Sequence, residues 1–254
     1  MTIDTQTMKN ILYILLLTTQ VFFAQTGFET GNELYKNGKY EEAITAYTAI
    51  LKAHKQSAEL YFNLGNCYYK LNKVAPAIYN YEKALVLKPN DVQTQNNLRF
   101  AQKRTVDEIK VIPKVGFAKL LRDFTAIYHY NIWGMISVGF SVLFLLSFLG
   151  YYFSQKTALK RIFFFGMFVM LVMLLISVAA AIFEKSHDQN ERPAIVFAEQ
   201  AEVKNEPQRL GAAIFVLHEG TKVFVEETVD NWTKIQLTDG TEGWIEKTAI
   251  LEVK

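Results

Sequence analysis

The sequence is poor in the residues that build disulfide, metal and redox sites. Its 254 residues include one cysteine, Cys67, and four histidines. These numbers exclude a disulfide scaffold, a cysteine-rich zinc site and a multi-haem carrier. The net charge is only +2, from 27 basic and 25 acidic residues, so no global basic field points to nucleic acid. With 13 glycines and 5 prolines, the chain is neither collagen-like nor a long disordered segment.

Catalytic motifs are missing as well. The sequence contains no HExxH, no Walker loop, and no GxSxG or GxGxxG after a predicted strand. Cys67 lies next to Tyr68 on a predicted helix, where the expected role is that of a small packing residue. The histidines are spread along the chain as His54, His129, His187 and His218. We therefore predict that the protein is not an enzyme and has no catalytic, metal or cofactor site.

Long apolar segments are what the chain has in excess. Ile132–Phe153 and Ile162–Phe183 each run for 22 residues without a formal charge. At 1.5 Å per residue each helix would be about 33 Å long, enough to cross a hydrocarbon core of about 30 Å. Aromatic residues at the ends of both segments are typical of the membrane interface. We predict two transmembrane helices; two buried helices of a soluble domain are the alternative.

A shorter apolar segment stands at the N-terminus. Ile11–Phe23 follows Lys9 and is too short to cross the hydrocarbon core, since 13 helical residues span about 20 Å. A basic start, a short apolar stretch and a small residue at the end are typical of a secretory signal peptide, here cleaved after Ala24. Phe22 is larger than the residue preferred at that distance from a cleavage site. An uncleaved N-terminal membrane anchor is therefore the alternative.

The charges beside the apolar segments predict the topology. The loop 154–161 carries Lys156, Lys160 and Arg161 and no acidic residue. Because basic loops stay on the cytoplasmic side, this loop is expected in the cytoplasm. The signal sequence independently requires an exported N-terminal part. Both soluble parts are therefore expected on the periplasmic side of a bacterial inner (cytoplasmic) membrane.

A repeat of 34 residues precedes the apolar segments. The positions that match at this offset include Gly31 and Gly65, Asn32 and Asn66, Tyr35 and Tyr69, Lys36 and Lys70, Ala43 and Ala77, and Tyr47 and Tyr81. The second unit, Ala58–Asp91, resembles a tetratricopeptide (TPR) repeat. Gly65 and Ala77 would let paired helices approach, and Pro89 would end the second helix. The residues 92–104 continue as a polar helix, which is typical of a cap.

The first helices of such repeats line a concave groove. The candidate peptide-binding residues of this groove are Phe28, Asn32, Tyr35, Phe62, Asn63, Asn66, Tyr69 and Asn97. Some TPR modules clamp a carboxylate with basic residues where this chain has Phe28, Gln93 and Asn97, so no carboxylate clamp is expected. Asparagine side chains are suited to hydrogen-bonding an extended peptide backbone. An ordinary solvated helix face is the alternative.

The linker before the first apolar segment contains an amphipathic helix. In Val115–Tyr130 the apolar residues fall on one helical stripe, opposite Lys119, Arg122 and Asp123. The stripe consists of Phe117, Leu120, Leu121, Phe124, Ile127 and Tyr128. We predict that this helix lies in the membrane interface.

After Pro193 the apolar period changes from 3.6 to 2, which indicates short strands. Turn signals at Glu219-Gly220, Asp230-Asn231 and Asp239-Gly240 separate them. The stretch LHEGTKVFVEETVDNWTKIQLTDGTEGWIE resembles a bacterial SH3 domain, a small all-β barrel. Such domains generally bind peptides or cell-wall material through aromatic surfaces. The candidates are Phe224, Trp232 and Trp244, although so small a barrel also needs its tryptophans for its core.

The predicted fold class is therefore a multidomain membrane protein with an α-helical TPR solenoid, a two-helix transmembrane hairpin and a small all-β SH3-like barrel. The predicted divisions are a signal peptide at 1–24, TPR repeats with a capping helix at 25–105, a linker with the amphipathic helix at 106–131, transmembrane helices at 132–153 and 162–183 around the cytoplasmic loop 154–161, a tether at 184–193 and the SH3-like domain at 194–254.

This order of modules, with the segment AQKRTVDEIKVIP after the repeats, resembles the TPR- and SH3-containing, BatE-like branch of the Bacteroides aerotolerance (Bat) family. The resemblance implies a setting in oxygen or stress tolerance beside membrane-anchored von Willebrand factor A-type proteins and a MoxR-class AAA+ ATPase. We interpret the protein as a non-catalytic membrane scaffold that displays two protein-binding modules. An envelope sensor that binds peptidoglycan through the SH3 module is the alternative, and a regulator of a wall hydrolase, or a hydrolase itself, is disfavoured.

Overall fold

The computed structural model describes residues 27–109 and 116–254. They fall into two compact units, one made of residues 27–109 together with 192–254 and the other of residues 116–191. The signal peptide predicted at 1–24 lies outside the described residues, as does part of the predicted linker.

Five helices build the first part of the first unit. They are α1 at residues 27–36, α2 at Tyr40–Lys52, α3 at Ala58–Lys70, α4 at Val74–Leu87 and α5 at Val92–Gln102. The side chains of Ser57 and Asp91 accept hydrogen bonds from backbone N–H groups in the first turns of α3 and α5, which defines where those helices begin. The pairs α1–α2 and α3–α4 are the two predicted repeats, and α5 follows as the cap.

Close approach of paired helices explains the repeated glycine. A Cβ atom on Gly65 would lie 2.6 Å from the ring of Tyr81, and one on Gly31 would lie 2.4 Å from the ring of Tyr47. Both tyrosines are almost fully buried. Each glycine therefore leaves the space that a tyrosine of the second helix fills, as the 34-residue spacing predicts.

The C-terminal part of this unit is an antiparallel sheet. Its strands are β1 (Pro193–Val196), β2 (Gln200–Lys204), β3 (Ala213–His218), β4 (Lys222–Val229), β5 (Trp232–Gln236), β6 (Glu242–Glu246) and β7 (Ile250–Glu252). They are ordered β3-β2-β6-β5-β4-β1-β7. Val203, Val223, Ile235 and Ile245 are fully buried in one core. The turns at Asp230 and Gly240, both with positive φ, lie where the sequence predicts them.

The second unit contains α6 (Phe117–Thr125), α7 (Tyr130–Phe153) and α8 (Thr157–Asn190). α7 and α8 form a hairpin in which the Ser137 hydroxyl donates to the Ser177 hydroxyl at 2.9 Å. Both helices, of 24 and 34 residues, are long and apolar enough to cross a membrane. Only 11% and 6% of their most apolar stretches are buried by other described residues.

α8 is longer than the apolar segment 162–183 that predicts it. It begins at Thr157, so only Ser154–Lys156 separates it from α7 where the sequence suggests a loop over 154–161. It also continues to Asn190, through most of the predicted tether 184–193. The physical reason is that the polar residues beyond the apolar segment are compatible with a helix, and no proline interrupts it before Pro193.

Candidate functional site

The groove asparagines form a hydrogen-bonded cluster in the first repeat. The Oδ1 atom of Asn32 accepts from the Tyr47 hydroxyl at 2.6 Å and from Nδ2 of Asn63 at 2.9 Å. Burial raises the pKa of Tyr47 to about 12, so its hydroxyl keeps the proton that it donates. Three side chains on α1, α2 and α3 are thereby fixed relative to one another.

The same cluster recurs 34 residues later. Oδ1 of Asn66 accepts from the Tyr81 hydroxyl and from Nδ2 of Asn97, both at 2.8 Å. Burial also raises the pKa of the Tyr81 hydroxyl. Within the described residues, no hydrogen bond uses Nδ2 of Asn66 or Oδ1 of Asn97. The pair therefore keeps one donating and one accepting group for a ligand while its orientation is fixed.

The aromatic groove residues follow the same repeat. The ring centroid of Phe28 lies 5.8 Å from that of Tyr47, and the ring centroid of Phe62 lies 6.1 Å from that of Tyr81. Phe28 and Phe62 therefore pack on buried tyrosines and act as walls of the groove more than as exposed contacts.

A cavity of about 250 Å³ lies at the second repeat. Its lining residues are Tyr35, Asn66, Tyr69, Lys70, Tyr81, Asn97 and Phe100. The cavity brings together four of the predicted groove residues, whereas Asn32 and Asn63 lie in the neighbouring cluster. Lys70 and Phe100 were not among the predicted residues, although Lys70 matches Lys36 at the repeat offset.

Arg104, which sequence reasoning missed, contacts the cavity residue Tyr69. Its guanidinium lies 3.8 Å from the ring centroid of Tyr69, in a cation–π contact. It also donates to the Tyr69 carbonyl at 3.3 Å and to Oδ1 of Asn72 at 3.1 Å. These contacts fix the position of the Tyr69 ring at the cavity.

The three aromatic candidates of the sheet share its outer face. Strand pairing sets Trp232 opposite Glu246, Trp244 opposite Lys234 and Phe224 opposite Gln236. The core residues Val225, Ile235 and Ile245 lie on the other face, because alternate side chains point to opposite sides of a strand.

Among these three, Trp232 is the most buried. It is 8% exposed and lines a cavity of about 300 Å³ together with residues of β2 and β6. The Lys204 ammonium lies 5.6 Å from its ring centroid. Trp244 and Phe224 are half-buried. The Trp232 ring thus forms part of the wall of this cavity, whereas Trp244 and Phe224 are more exposed.

The repeats and the sheet pack directly against each other, which sequence reasoning missed. Ile195 of β1 and Val253 are fully buried in one cluster with Val74 and Ile78 of α4. The rings of Tyr79 and Phe197 meet edge to face with centroids 5.7 Å apart. The two modules therefore form one body in spite of the 82 residues, numbers 110–191, that separate their described parts.

A carboxylate after α5 holds the turn between β3 and β4. Oδ2 of Asp107 accepts from the His218 backbone N–H at 2.7 Å and from the Thr221 hydroxyl at 2.6 Å, while Oδ1 lies 2.7 Å from Nδ1 of His218. Burial raises the pKa of Asp107, but hydrogen bonds from Thr221 and His218 outweigh it, so the pKa lies below its ordinary value.

A second ion pair crosses the same junction. Both carboxylate oxygens of Glu82 lie 2.8 Å from the Lys222 ammonium. Glu82 is only 7% exposed, so the Lys222 ammonium compensates a carboxylate that is largely removed from water. Close to it, a Cβ atom on Gly220 would lie 2.9 Å from Thr105 and 3.1 Å from Val74, which shows how tightly the turn approaches the repeats.

No group of three or more histidine, cysteine, aspartate or glutamate side chains that could hold a metal ion occurs in the described parts of the chain. Cys67 is buried, and burial raises the pKa of its thiol to about 12. The thiol is therefore protonated near neutral pH and packs as a small apolar group.

Comparison with known proteins agrees with both modules. Residues 28–92 match the Tetratricopeptide repeat family, and residues 198–252 match the Bacterial SH3 domain family. The predicted fold class is thereby confirmed: a helical TPR region, two apolar helices and an antiparallel sheet of SH3 type. TPR repeats and bacterial SH3 domains are interaction modules, so the chain carries two of them.

Individual relatives share part of the chain. Sperm-associated antigen 1 of Rattus norvegicus is 35% identical over 75 residues, which are 30% of this chain and 8% of that protein. Hsp70-Hsp90 organizing protein 1 of Glycine max is 39% identical over 61 residues, 24% of this chain and 11% of that protein. TPR repeat-containing thioredoxin TTL4 of Arabidopsis thaliana is 32% identical over 90 residues, 35% and 13% respectively. The chain thus spans about a tenth of the length of these relatives.

Proposed function

We propose that the protein is a non-catalytic, membrane-anchored scaffold that presents its TPR repeats and its SH3 module as one body to partner proteins. The observation that carries this proposal is the buried junction between the two interaction modules, with Glu82 on Lys222 and Asp107 on the β3–β4 turn. Two packed modules hold their ligands at a fixed separation, which raises the effective concentration of one ligand for the other without a flexible linker.

The chain path supports a membrane hairpin with both modules on one side. The chain leaves the body after Ile109 and re-enters it at Arg192, whose guanidinium makes two hydrogen bonds to Glu252 at 2.7 and 3.0 Å. Any membrane crossings between these points must be even in number, because the two parts are in contact. α7 and α8 supply two helices of sufficient length. With the basic residues Lys156 and Lys160 in the cytoplasm, the body faces the periplasm of a bacterial inner membrane.

The amphipathic helix α6 would lie on the membrane surface. Phe117, Leu120 and Phe124 are exposed, while Lys119 and Asp123 form an ion pair at 2.8 Å on the polar side. An exposed apolar stripe beside two apolar helices is suited to the boundary between headgroups and acyl chains.

The groove of the repeats is the proposed protein-binding site. The Tyr81 hydroxyl orients the Asn66 amide, and Asn66 in turn orients Asn97. Nδ2 of Asn66 and Oδ1 of Asn97 can then bind both groups of a peptide bond. Lys70 adds a positive charge at the same cavity. The relatives include proteins named as organizing two other proteins, which is consistent with a scaffold.

The order of the modules resembles that of the Bacteroides aerotolerance family, and we further propose that the protein is a BatE-like member of it. Its partners would then be von Willebrand factor A-type membrane proteins in a stress-related complex. The purification of the full-length protein from its native membranes in mild detergent, with mass spectrometry of co-eluting proteins, tests this. We expect von Willebrand factor A-type proteins to co-elute and to be lost with Lys70→Glu.

Lys36→Glu is the matched control, since Lys36 occupies the same position in the first repeat and does not line the cavity. Retention of all partners by Lys70→Glu and by Gly65→Arg, which would place its side chain against Tyr81, would contradict the groove as their site. A preparation that carries no protein partner would contradict the scaffold.

Peptidoglycan binding by the SH3 module is a second candidate, favoured by the cavity beside Trp232. Its lining combines an aromatic ring with Lys204, Glu202 and Thr248, which can bind sugar hydroxyls and peptide amides. Sedimentation of the detergent-solubilised full-length protein with purified cell wall, compared with Trp232→Ala, tests this candidate. Equal sedimentation of both proteins would contradict it.

A further inference from the structure

A cleft lies at the junction of the repeats and the sheet, apart from the groove and from the Trp232 cavity. Its volume is about 610 Å³, within the range of roughly 300–1,000 Å³ that ligand sites occupy. It is formed by the last turn of α5, the segment Thr105–Ile109 and the turn at Gly220 and Thr221. Both modules are therefore needed to complete it.

Helix α5 separates this cleft from the groove. Asn97 and Phe100 line the groove cavity, whereas Arg99, Gln102 and Lys103 line the cleft. A ligand in one site therefore does not occupy the other, although one helix contributes to both.

Some charged side chains of the cleft have a partner in the protein and others have none of opposite charge. Lys222 is paired with Glu82, and Asp107 is held by His218 and Thr221. Arg99 of α5 and Lys103, the residue directly after this helix, form no ion pair with any residue of 27–109 or 116–254. Arg99 binds only the neutral side chain of Asn96, and the Lys103 ammonium lies 5.7 Å from the ring centroid of Phe100. Two cations are thus open to a ligand.

We propose that this cleft binds an acidic peptide segment of a partner protein. An arginine and a lysine one helical turn apart can bind carboxylates through charge-assisted hydrogen bonds. The amide of Gln102 and the hydroxyls of Thr105 and Thr238 can bind peptide groups between those carboxylates.

Other anions fit the cleft less well. Its lining contains no aromatic ring on which a nucleobase could stack, in the part of the chain that the structure describes. Glu108 also lines it and repels densely charged phosphate groups, whereas a peptide can place a carboxylate beside Arg99 and a neutral group beside Glu108. An acidic peptide therefore matches the mixture of charges that is present.

Fluorescence anisotropy on the detergent-solubilised full-length protein tests this proposal. The probe is a fluorescein-labelled eight-residue peptide of alternating glutamate and alanine, and an alternating lysine and alanine peptide serves as the opposite-charge probe. We expect the acidic peptide to bind and the basic one not to bind. The double variant Arg99→Ala/Lys103→Ala should weaken acidic-peptide binding by roughly tenfold or more, because two charge-assisted contacts are removed.

The matched control is Lys36→Ala/Lys52→Ala, which removes two exposed positive charges from the repeats outside the cleft. Equal loss in both double variants would mean that net charge attracts the peptide, and would overturn the proposal. Failure of the wild-type protein to bind would overturn it too, as would loss of binding in Lys70→Glu but not in the cleft variant, which would assign the peptide to the groove. Gly220→Val should weaken binding as well, because the turn completes the cleft. The scaffold proposal is tested separately, by the partners that co-elute.

Discussion

Gly220 is the residue at which the contact between the repeats and the sheet can be tested most directly. It has a φ of 87° in the turn before β4, and a Cβ atom there would lie 2.9 Å from Thr105, 3.1 Å from Val74 and 3.2 Å from Ile78. Gly240, in the turn before β6, has a nearly identical φ of 86° but no atom within 4 Å of such a Cβ. Alanine at either position has the same backbone strain, and only at Gly220 does it also press on another module.

The difference between Gly220→Ala and Gly240→Ala therefore isolates the junction. A left-handed conformation costs an alanine about 1–2 kcal/mol, and this cost is common to both variants. Pressing a methyl group into a packed core costs about 1–3 kcal/mol, and this cost applies to Gly220→Ala alone. Thr105 can give way, but Ile78 is fully buried and Val74 nearly so, so we expect a residual difference of about 1–2 kcal/mol.

Hydrogen exchange followed by mass spectrometry on the full-length protein in detergent shows which segments each substitution destabilises. For Gly220→Ala we expect faster exchange in both α4 and β1, which meet at the junction, because a weakened contact opens both sides together. For Gly240→Ala we expect faster exchange confined to β5 and β6. If both variants change only the sheet, or change it equally, the reasoning that the two modules form one body is refuted.

Two further predictions concern buried polar groups. Glu82→Gln should lower the melting temperature of the solubilised protein, because it leaves the Lys222 ammonium partly unpaired at a cost of about 1–3 kcal/mol. Glu82→Leu combined with Lys222→Met should recover most of this loss. Equal destabilisation by the single and the double variant would contradict this prediction. Asn66→Ala should lower the free energy of unfolding by about 1–3 kcal/mol, because the buried Tyr81 hydroxyl loses its acceptor. Asn37→Ala, on the exposed turn after α1, should change the melting temperature little. Comparable shifts for both variants would contradict the structural role of the asparagine clusters.

The repeat and strand patterns predict most of the fold because they report local geometry. The 34-residue match of Gly31 with Gly65 and of Tyr47 with Tyr81 reflects one small and one large side chain that meet between paired helices. The turn signals at Asp230 and Gly240 require positive φ, which few residues adopt readily. Such features depend on residues close in sequence or repeated at a fixed spacing, and so they can be read from one chain.

The junction could not be predicted in this way. Glu82 lies on α4 and Lys222 lies 140 positions later. In the sequence, each looks like an ordinary charged residue exposed to solvent. Nothing in a local pattern indicates that a carboxylate is buried by a distant module. The groove asparagines show the same limit, since their spacing predicts a shared face but not that Asn32 and Asn66 use their carbonyl oxygens on Tyr47 and Tyr81.

Acidification should loosen the junction through Asp107. Its pKa lies below the ordinary value of 3.8, because hydrogen bonds from Thr221 and His218 outweigh the effect of burial. A carboxyl group with a lowered pKa in the folded state contributes stability that is fully present above its ordinary pKa and is lost as the pH falls through the folded value. The protection of α4 and β1 against exchange, relative to the intrinsic exchange rate at each pH, should therefore be unchanged by this group from neutral pH down to about 4 and should fall below that pH.

Asp107→Asn should remove that dependence and should raise exchange at the junction already at neutral pH, because an amide is neutral and has one accepting oxygen where the Asp107 carboxylate uses two. Glu108→Gln is the matched control, as Glu108 is the exposed neighbouring carboxylate and makes no hydrogen bond to the sheet among the described residues. The same acid response in Asp107→Asn as in the wild-type protein would mean that another group opens the junction. A wild-type response shared by Glu108→Gln and abolished in Asp107→Asn would identify this carboxylate as the acid-sensitive contact between the two modules.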